Sequence, residues 1–370
     1  MRDYIPLLFA YGTLFVLIIC VCLVLNARLL DKLKHLGSHN NTPNADWVRW
    51  AASPKPAVGG IGFFAAFLLS LLIYTILEKN VLGNQWLLPL PYRQGLSFVA
   101  ACSVGFAIGL IDDAKQISPL AKFAGQLACA LLFIAGGLCI NLSDCYFINC
   151  LFTTLWVVGM MNSLNMLDNM DGITASVSVF VLLNVLLMAA MNGEIGSFYS
   201  LIAVGAMGSL LGFLWYNWHP SRMFMGDAGS QFLGALLSGL SIIYLWQFRD
   251  TVHGVSSLQQ FLVPSLVFLL PLTDTCTVTI RRLARGQSPF VGGRDHTTHH
   301  LVYCGLTDKQ VAWVFVALSL LGLGLVYYTR YYMLWHWTNW HTLGIICYDL
   351  LLFIIMQLLY NYGKNKKSMN

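Results

Sequence analysis

Four short polar blocks interrupt an otherwise apolar sequence, and each holds side chains able to bind a metal ion or a phosphate group. The first contains the adjacent acids Asp112 and Asp113, with Lys122 following shortly inside the next apolar run. Neighbouring carboxylates repel each other, and the end of a helix prefers cations to anions. The pair therefore indicates a site where a divalent cation or the lysine neutralises the charge. A solvated pair of loop carboxylates is the alternative.

The second block places Asn162, Asn165, Asp168 and Asp171 at intervals of three residues. Neighbouring members of such a series share one face of a helix. Amide and carboxylate oxygens are ligands for hard cations, and the same groups can read the edge of a nucleobase. The series predicts a binding face at a helix end, and a polar seam between packed helices is the alternative.

The third block runs from Asn217 to Ser230 and places Asp227 between Gly226 and Gly229, where a new helix begins. Glycine lets a ligand approach the backbone closely, and the free N–H groups at a helix start bind phosphate. These features indicate a phosphate or metal site. An ordinary helix N-cap is the alternative for the acid.

The fourth block collects Arg294, Asp295, His296, His299 and His300 in seven residues. Cationic and hydrogen-bonding side chains beside a carboxylate suit a diphosphate group. The spacing of His296 and His300 is also compatible with zinc. No cysteine or suitably placed glutamate accompanies them, so the pattern favours the phosphate interpretation.

The elements that must position these blocks are membrane helices. Of the 370 residues, 57% are hydrophobic and 10% charged, whereas soluble domains carry about 25% charged residues. A spanning helix needs about 20 mostly apolar residues, and the chain offers eleven such runs. They cover residues 4–26, 58–77, 95–111, 120–139, 146–164, 174–191, 197–216, 231–247, 258–280, 310–328 and 342–360. The sequence therefore predicts an all-α polytopic membrane bundle, one domain over residues 1–370, with catalytic loops on the cytoplasmic side.

The distribution of basic residues predicts the direction of insertion. Sixteen of the 21 Lys and Arg residues fall in one set of loops, which the positive-inside rule makes cytoplasmic. The N-terminus then faces outward. The four polar blocks lie in or beside the cytoplasmic loops, and carboxylates that converge at the membrane boundary are costly unless they are paired or bind a metal ion. This bias accounts for the net charge of +5 without any nucleic-acid partner.

The blocks, taken in order, resemble a known enzyme superfamily. The segments are IDDAKQISPLAKFAGQ, NSLNMLDNMDG, FMGDAGSQFLG and RRLARGQSPFVGGRDHTTHH, and the similarity covers about residues 55–300. They resemble the polyprenyl-phosphate N-acetylhexosamine-1-phosphate transferases, glycosyltransferase family 4. Within that superfamily they resemble the bacterial UDP-GlcNAc:undecaprenyl-phosphate branch.

The resemblance implies roles for individual residues. Asp112 and Asp113 match the family's paired aspartates, and Lys122 its lysine near the diphosphate. Asp227 matches the magnesium ligand, for which manganese is an alternative metal, and Asn165 is its companion. Substrate-binding positions are implied for Asn162, Asp168, Asp171 (reading uracil), Asn217, Arg294, His296, His299 and His300.

Two positions fit the family pattern less closely. Asn169 stands where many members have glycine, and Lys55 in PKPAVGG fits only loosely.

The reaction implied is transfer of an N-acetylhexosamine 1-phosphate from a UDP-sugar to polyprenyl phosphate, with release of UMP. It starts lipid-linked glycan synthesis, such as cell-wall polysaccharide or O-antigen, at the bacterial inner membrane. The resemblance leaves a homodimer open. The histidine block is closer to the GlcNAc style than to the three consecutive histidines of the muramoyl-pentapeptide translocases. Those translocases are one rival, and a secondary transporter is the other. Transporters place ionisable residues near the bilayer midplane, whereas here the charges lie at helix ends.

Overall fold

The computed structural model describes residues 5–32, 55–80, 92–246, 257–289, 293–335 and 337–369, and these form thirteen α-helices. The prediction of an all-α bundle is confirmed. In chain order the helices are α1 (Ile5–Lys32), α2 (Gly59–Asn80), α3 (Tyr92–Lys115), α4 (Pro119–Gly136), α5 (Tyr146–Leu167), α6 (Ile173–Met191), α7 (Phe198–Asn217), α8 (Gly226–Tyr244), α9 (Ser257–Val267), α10 (Leu269–Ala284), α11 (Thr297–Tyr303), α12 (Asp308–Trp335) and α13 (Asn339–Met369).

Within the described ranges, nine helices are long and apolar enough to cross a membrane, or ten when α9 and α10 count as one bent span. The sequence predicted eleven, and the remaining candidate is α8. This helix has 19 residues but carries Asp227, Gln231 and repeated glycine and serine, so its composition is less apolar. The chain is a multi-pass membrane protein in which one helix is shielded by the others.

Helix α8 is that central helix, and it packs against α2, α3, α5 and α6. Small residues let backbones approach closely in membrane bundles. A Cβ atom on Gly234 would lie only 2.5 Å from Cα of Met161 on α5. Small side chains on α8 therefore bring its first turn, which holds Asp227, against the neighbouring helices.

The α9–α10 pair is a broken helix. Its two halves differ in direction by 83°, with Pro264 inside α9 and Phe268 between the halves. Irregular backbone at membrane depth requires cover by protein, and Phe268 is completely buried. After the break α10 is two-faced, since Asp274 is buried while Ile280 is exposed.

One end of the bundle collects the polar blocks, and we call it the site end. The last turns of α3, α5 and α7 meet there with the first turns of α4, α8 and α11, and α10 joins them through Asp274 and Thr275. The polar blocks from the second half of the chain therefore lie beside those from the first half.

Candidate active site

Residues of the first three polar blocks meet in one group, which we call the carboxylate centre. Its members are Asp112, Asp113, Lys122, Asn165 and Asp227. The Lys122 ammonium lies 2.8 Å from Oδ2 of Asp112 and 2.7 Å from Oδ1 of Asp227. Oδ1 of Asn165 is 3.4 Å from the same nitrogen. Three oxygens from three helices therefore converge on one cation.

Local sequence sets the geometry between α3 and α4. Ser118 caps α4 with its side chain and Pro119 occupies the first helical turn, both of which favour a helix start. Lys122 then lies one turn inside α4. Oδ1 of Asp112 accepts from the backbone N–H of Ile117 at 2.9 Å, which fixes the acid beside the turn. The short connection aims Asp112 and Lys122 at each other.

Asp113 has a different task from Asp112. Its two oxygens accept the backbone N–H groups of Asp227 at 2.9 Å and Ala228 at 2.8 Å. A carboxylate is favourable at the start of a helix, where N–H groups are otherwise unpaired. Gly226 has a φ of +73°, and a Cβ atom there would lie 2.7 Å from Oδ2 of Asp113. Asp113 therefore anchors α8, whereas Asp112 faces the cation.

Two glycines bring neighbouring backbones directly onto the first turn of α8. A Cβ atom on Gly109 of α3 would lie 2.1 Å from the carbonyl oxygen of Asp227. One on Gly60 of α2 would lie 2.3 Å from the backbone nitrogen of Gly229. Backbone atoms cannot rotate away from such a contact, so glycine is required at both positions.

The donor set of the carboxylate centre fits a magnesium ion that takes further ligands from a substrate. Mg²⁺ is usually bound by one or two carboxylates together with waters and substrate phosphates. Asp112 and Asp227 supply two carboxylates, and Asn165, which donates to Asp227 and to Ser230, supplies an amide. In the part of the chain that the structure describes, no three His, Cys, Asp or Glu side chains are grouped to hold a metal ion by themselves.

A second group of polar residues surrounds Asp171, and we call it the Asp171 cluster. Asp171 accepts from the backbone N–H of Ser221 at 2.9 Å and from its hydroxyl at 2.7 Å. The His219 ring nitrogen Nδ1 lies 3.3 Å away and the Lys55 ammonium 3.5 Å. Lys55 also lies 5.1 Å from the centroid of the Phe224 ring. Asp171 thus gathers a cation, a hydroxyl and an aromatic face at the site end.

Backbone contacts hold the Asp171 cluster together. Asn217 is buried, accepts from the N–H of Gly172 at 3.0 Å and donates to the carbonyl of Met223 at 2.9 Å. The N–H of Phe224 donates to the carbonyl of Pro56 at 2.9 Å, next to an isolated bridge between this segment and the chain before α2. Asn217 is therefore a structural link between two loops.

The histidine segment, residues 293–303, is fastened at its start by α10. Asp274 is completely buried and accepts from Nδ1 of His296 at 2.8 Å. It also accepts the N–H and the hydroxyl of Thr297, each at 2.7 Å. One acid therefore caps α11 and fixes which ring nitrogen of His296 carries the proton.

Arg282 holds the residue before this cap. Its guanidinium binds Asp295 with two hydrogen bonds of 3.0 and 2.6 Å and donates to the carbonyl of Pro289 at 2.8 Å. Burial raises the pKa of Asp295, but the hydrogen bonds and charge of Arg282 outweigh it, and the net pKa is lowered. Asp295 is thus ionised and serves the loop, not the substrate.

Asn169 joins the histidine segment to the end of α5. Its Oδ1 accepts from the hydroxyl of Thr298 at 2.6 Å, and its Nδ2 donates to the carbonyl of Met166 at 2.8 Å. The adjacent Asp168 closes α5 as its C-cap. Asn169 therefore supplies a side chain that binds α11.

His299 and His300 lie inside the protein on either side of α11. Burial lowers the pKa of His299 to about 3, and the nearby His296 acts in the same direction. His299 is therefore neutral at physiological pH. The His300 ring stacks on Tyr360 of α13 with centroids 3.6 Å apart. Arg294 lies on the exposed side of the segment, and its carbonyl accepts from Tyr303 at 3.3 Å.

Asn162 lies apart from these groups. It exchanges hydrogen bonds of 2.7 and 3.2 Å with Gln126, which in turn donates to Gln231 at 3.0 Å. Gln126 and Gln231 are buried between α4, α5 and α8. The contacts of Asn162 are therefore those of a polar seam between packed helices. A role of Asn162 in substrate binding stays a prediction.

Some residues that hold the site were not predicted. Asp274 gave a usable signal, since an acid inside an apolar helix is costly without a partner. Lys55 was noted only as a loose match, although prolines on both sides mark it as part of an ordered loop. Arg282 and Tyr360 gave no local signal, because their partners lie 13 and 60 residues away.

At the polar end of this membrane bundle a lysine lies between two acids, and this arrangement suits the binding of phosphate groups. Comparison with known proteins leads to the same interpretation. Residues 96–245 match the model of glycosyl transferase family 4. The chain is 30% identical over 261 residues to the probable undecaprenyl-phosphate N-acetylglucosaminyl 1-phosphate transferase of Bacillus subtilis, covering 68% of each chain.

More distant relatives extend the comparison. One is the decaprenyl-phosphate N-acetylglucosaminephosphotransferase of Mycobacterium leprae, 29% identical over 74% of this chain and 72% of that protein. Another is a phospho-N-acetylmuramoyl-pentapeptide-transferase of Listeria monocytogenes, 26% identical over 73% and 82%. The protein is a polytopic membrane transferase. It belongs to glycosyl transferase family 4, which confirms the resemblance carried by its motifs.

Proposed function

We propose that the protein transfers an N-acetylhexosamine 1-phosphate from a UDP-sugar to undecaprenyl phosphate or a similar polyprenyl phosphate, and releases UMP. An oxygen of the acceptor phosphate bonds to the phosphorus that carries the sugar, and the bond from that phosphorus to the UMP oxygen breaks. The observation that carries this proposal is the carboxylate centre, where Lys122 lies between Asp112 and Asp227.

The carboxylate centre supplies positioning and charge. Lys122 binds the donor diphosphate and offsets the charge that collects on the leaving oxygen, which is the main task of a phosphoryl-transfer enzyme. Asp227 and Asn165 would hold Mg²⁺, with Mn²⁺ as the alternative. When bound, the metal neutralises phosphate oxygens and orients them.

A strong base is not needed, because a phosphate monoester has a second pKa near 6 and is largely dianionic at neutral pH. Asp112 accordingly orients the acceptor, while Asp113 keeps the first turn of α8 in place.

The donor lies between the Asp171 cluster and the histidine segment. The Asp171 cluster receives the uridine, with Lys55 beside the ring face of Phe224. The histidine segment covers the sugar. His299 is neutral, so it exchanges hydrogen bonds with hydroxyl or amide groups and leaves charge pairing to Lys122 and Arg294.

The donor sugar is GlcNAc or a close N-acetylated relative. Support comes from the compact histidine segment and from the first two relatives, whose names specify N-acetylglucosamine. The site faces the cytoplasm of a bacterial inner membrane, as the basic residues of its loops suggest. Single cysteines placed in the site-end loops of a cysteine-depleted variant should resist impermeant reagents in intact cells, and labelling from outside would refute this orientation.

The deciding experiment uses purified protein in nanodiscs with undecaprenyl phosphate and a panel of UDP-sugars. We expect UMP and lipid-linked sugar phosphate in equal amounts from UDP-GlcNAc, with both products abolished by EDTA and restored by Mg²⁺. Preference for UDP-muramoyl-pentapeptide would overturn the choice of sugar. Absence of UMP from every donor, together with solute uptake in proteoliposomes, would favour a transporter.

A further inference from the structure

The turns of α13 at the site end, residues 357–366, form a clasp on the histidine segment. Tyr360, only 1% exposed, is at its centre. The His300 ring stacks on Tyr360 at 3.6 Å, and the Arg281 guanidinium lies 3.9 Å from the same ring centroid. Two groups this near one centroid must occupy opposite faces of the ring. Arg285 also donates to the Tyr360 hydroxyl at 3.2 Å.

Backbone contacts support the same arrangement. A Cβ atom on Gly363 would lie 2.5 Å from the carbonyl oxygen of His300, so α13 touches α11 directly. The Cys304 thiol donates to the carbonyl of Leu359 at 3.3 Å, and Lys366 donates to the carbonyl of Cys304 at 3.2 Å. The clasp therefore fixes both the backbone and the ring of His300.

We propose that Tyr360 is a positioning residue for the donor sugar, acting through His300. The inference rests on the proposed function, in which the histidine segment covers that sugar. An imidazole is free to turn about its side-chain bonds unless packing fixes the ring plane. The Arg281–Tyr360–His300 stack fixes it, and polar groups bind a ligand best when they are held in place beforehand. Tyr360 lies outside residues 96–245, the part of the chain that matches the family model.

The test compares Tyr360→Leu, Tyr360→Phe and a matched control, Tyr362→Leu, on the same helix. Tyr362 is 60% exposed. Losing one aromatic stack should raise the KM for UDP-GlcNAc roughly 3- to 10-fold, with the KM for undecaprenyl phosphate unchanged. Tyr360→Phe keeps the ring and should restore the donor KM to near the wild-type value. Tyr362→Leu should change neither KM.

A double-mutant cycle with His300→Ala separates positioning from mere stability. If Tyr360 acts through His300, Tyr360→Leu should add nothing to the donor KM of His300→Ala, because the two changes remove one interaction. Additive effects, or equal changes in both KM values, would overturn the inference. If Tyr360→Leu does not fold, Arg281→Gln is the substitute, since it removes the group on the other face of the Tyr360 ring, and the same donor-specific change is expected.

The proposed function and this inference fail in different ways. No turnover of any UDP-sugar by the wild-type protein would refute the function, and the inference would fall with it. Normal turnover with an unchanged donor KM in Tyr360→Leu, or in Arg281→Gln where Tyr360→Leu does not fold, would refute the inference alone.

Discussion

The carboxylate centre and the histidine segment lie at the same end of the bundle but are held in different ways. The first is held by backbones, where α2 and α3 touch the start of α8 through glycine. The second is a helix of seven residues fixed by side chains from three distant elements, namely Asp274, Asn169 and Tyr360. A single side chain can therefore be exchanged in the second arrangement without moving a helix backbone, whereas the first depends on direct contact between helix backbones. The difference suggests that the residues for phosphate chemistry are held rigidly, whereas the residues that recognise the sugar are more easily changed.

The largest expected effect is at the carboxylate centre. Asp227→Asn keeps the shape of the side chain but removes the charge opposite Lys122, so kcat should fall by about 10²-fold or more. Turnover by purified protein at saturating substrates measures this, with the thermal midpoint as the control for folding. Near-normal turnover with an unchanged need for Mg²⁺ would place the metal site elsewhere.

Within the same centre, Asp113→Asn tests whether Asp113 anchors α8 in addition to any effect on activity. The amide can accept only one of the two α8 N–H groups and turns its own NH₂ toward the other. A hydrogen bond to a charged group contributes about 1.5–3 kcal/mol, so stability should fall by about 2 kcal/mol together with activity. The thermal midpoints of the Asp113 and Asp227 variants, compared in one detergent, measure this. Equal midpoints would mean that Asp113 does not anchor α8.

On the histidine side, Asn169→Gly restores the residue common in the family and removes the bond to Thr298. The donor KM should rise roughly 3- to 10-fold, with kcat at saturation largely preserved. Thr298→Val should produce the same change, and the double variant no more than either one. A fall in kcat with an unchanged donor KM would mean that the pair serves the carboxylate centre instead.

The smallest expected effect is the response of the histidine segment to pH. His299 has a pKa of about 3 in the folded protein against about 6.5 when unfolded. Because the folded pKa is the lower one, the stabilisation is complete above pH 6.5 and is lost as pH falls toward 3. Lowering the pH from 6.5 to 5.5 should cost about 1 kcal/mol through this group. Thermal midpoints of wild type and His299→Gln measure it, and parallel pH curves would contradict it.

The sequence predicted the helical membrane fold and the groups that meet in the carboxylate centre, because these depend on composition and on residues close to helix ends. It was less informative about the series Asn162, Asn165, Asp168 and Asp171. A spacing of three fixes the face of one helix only, and the neighbouring helices decide what each residue meets. Asn162 accordingly joins a seam with Gln126, while Asn165 reaches Asp227.

The clasp residues were beyond sequence reasoning for a related reason. Tyr360 is one aromatic residue among many in an apolar helix, and its partner lies 60 residues earlier. Only the packing of α13 against α11 distinguishes it from Tyr362. Helix α8 shows a related point, since its apolar run predicted one of the eleven spans, but only its packing shows that it is buried among the other helices.

The glycine contacts around α8 also bear on the entropy of substrate binding. Side chains that close around a ligand lose rotamer freedom, which costs about 0.5–1.5 kcal/mol for each one immobilised. At Gly60 and Gly109 the touching atoms belong to the backbone, and they have no rotamers to lose. The backbone position of Asp227 is therefore fixed when the protein folds, and binding of the donor does not have to order the backbone at this point.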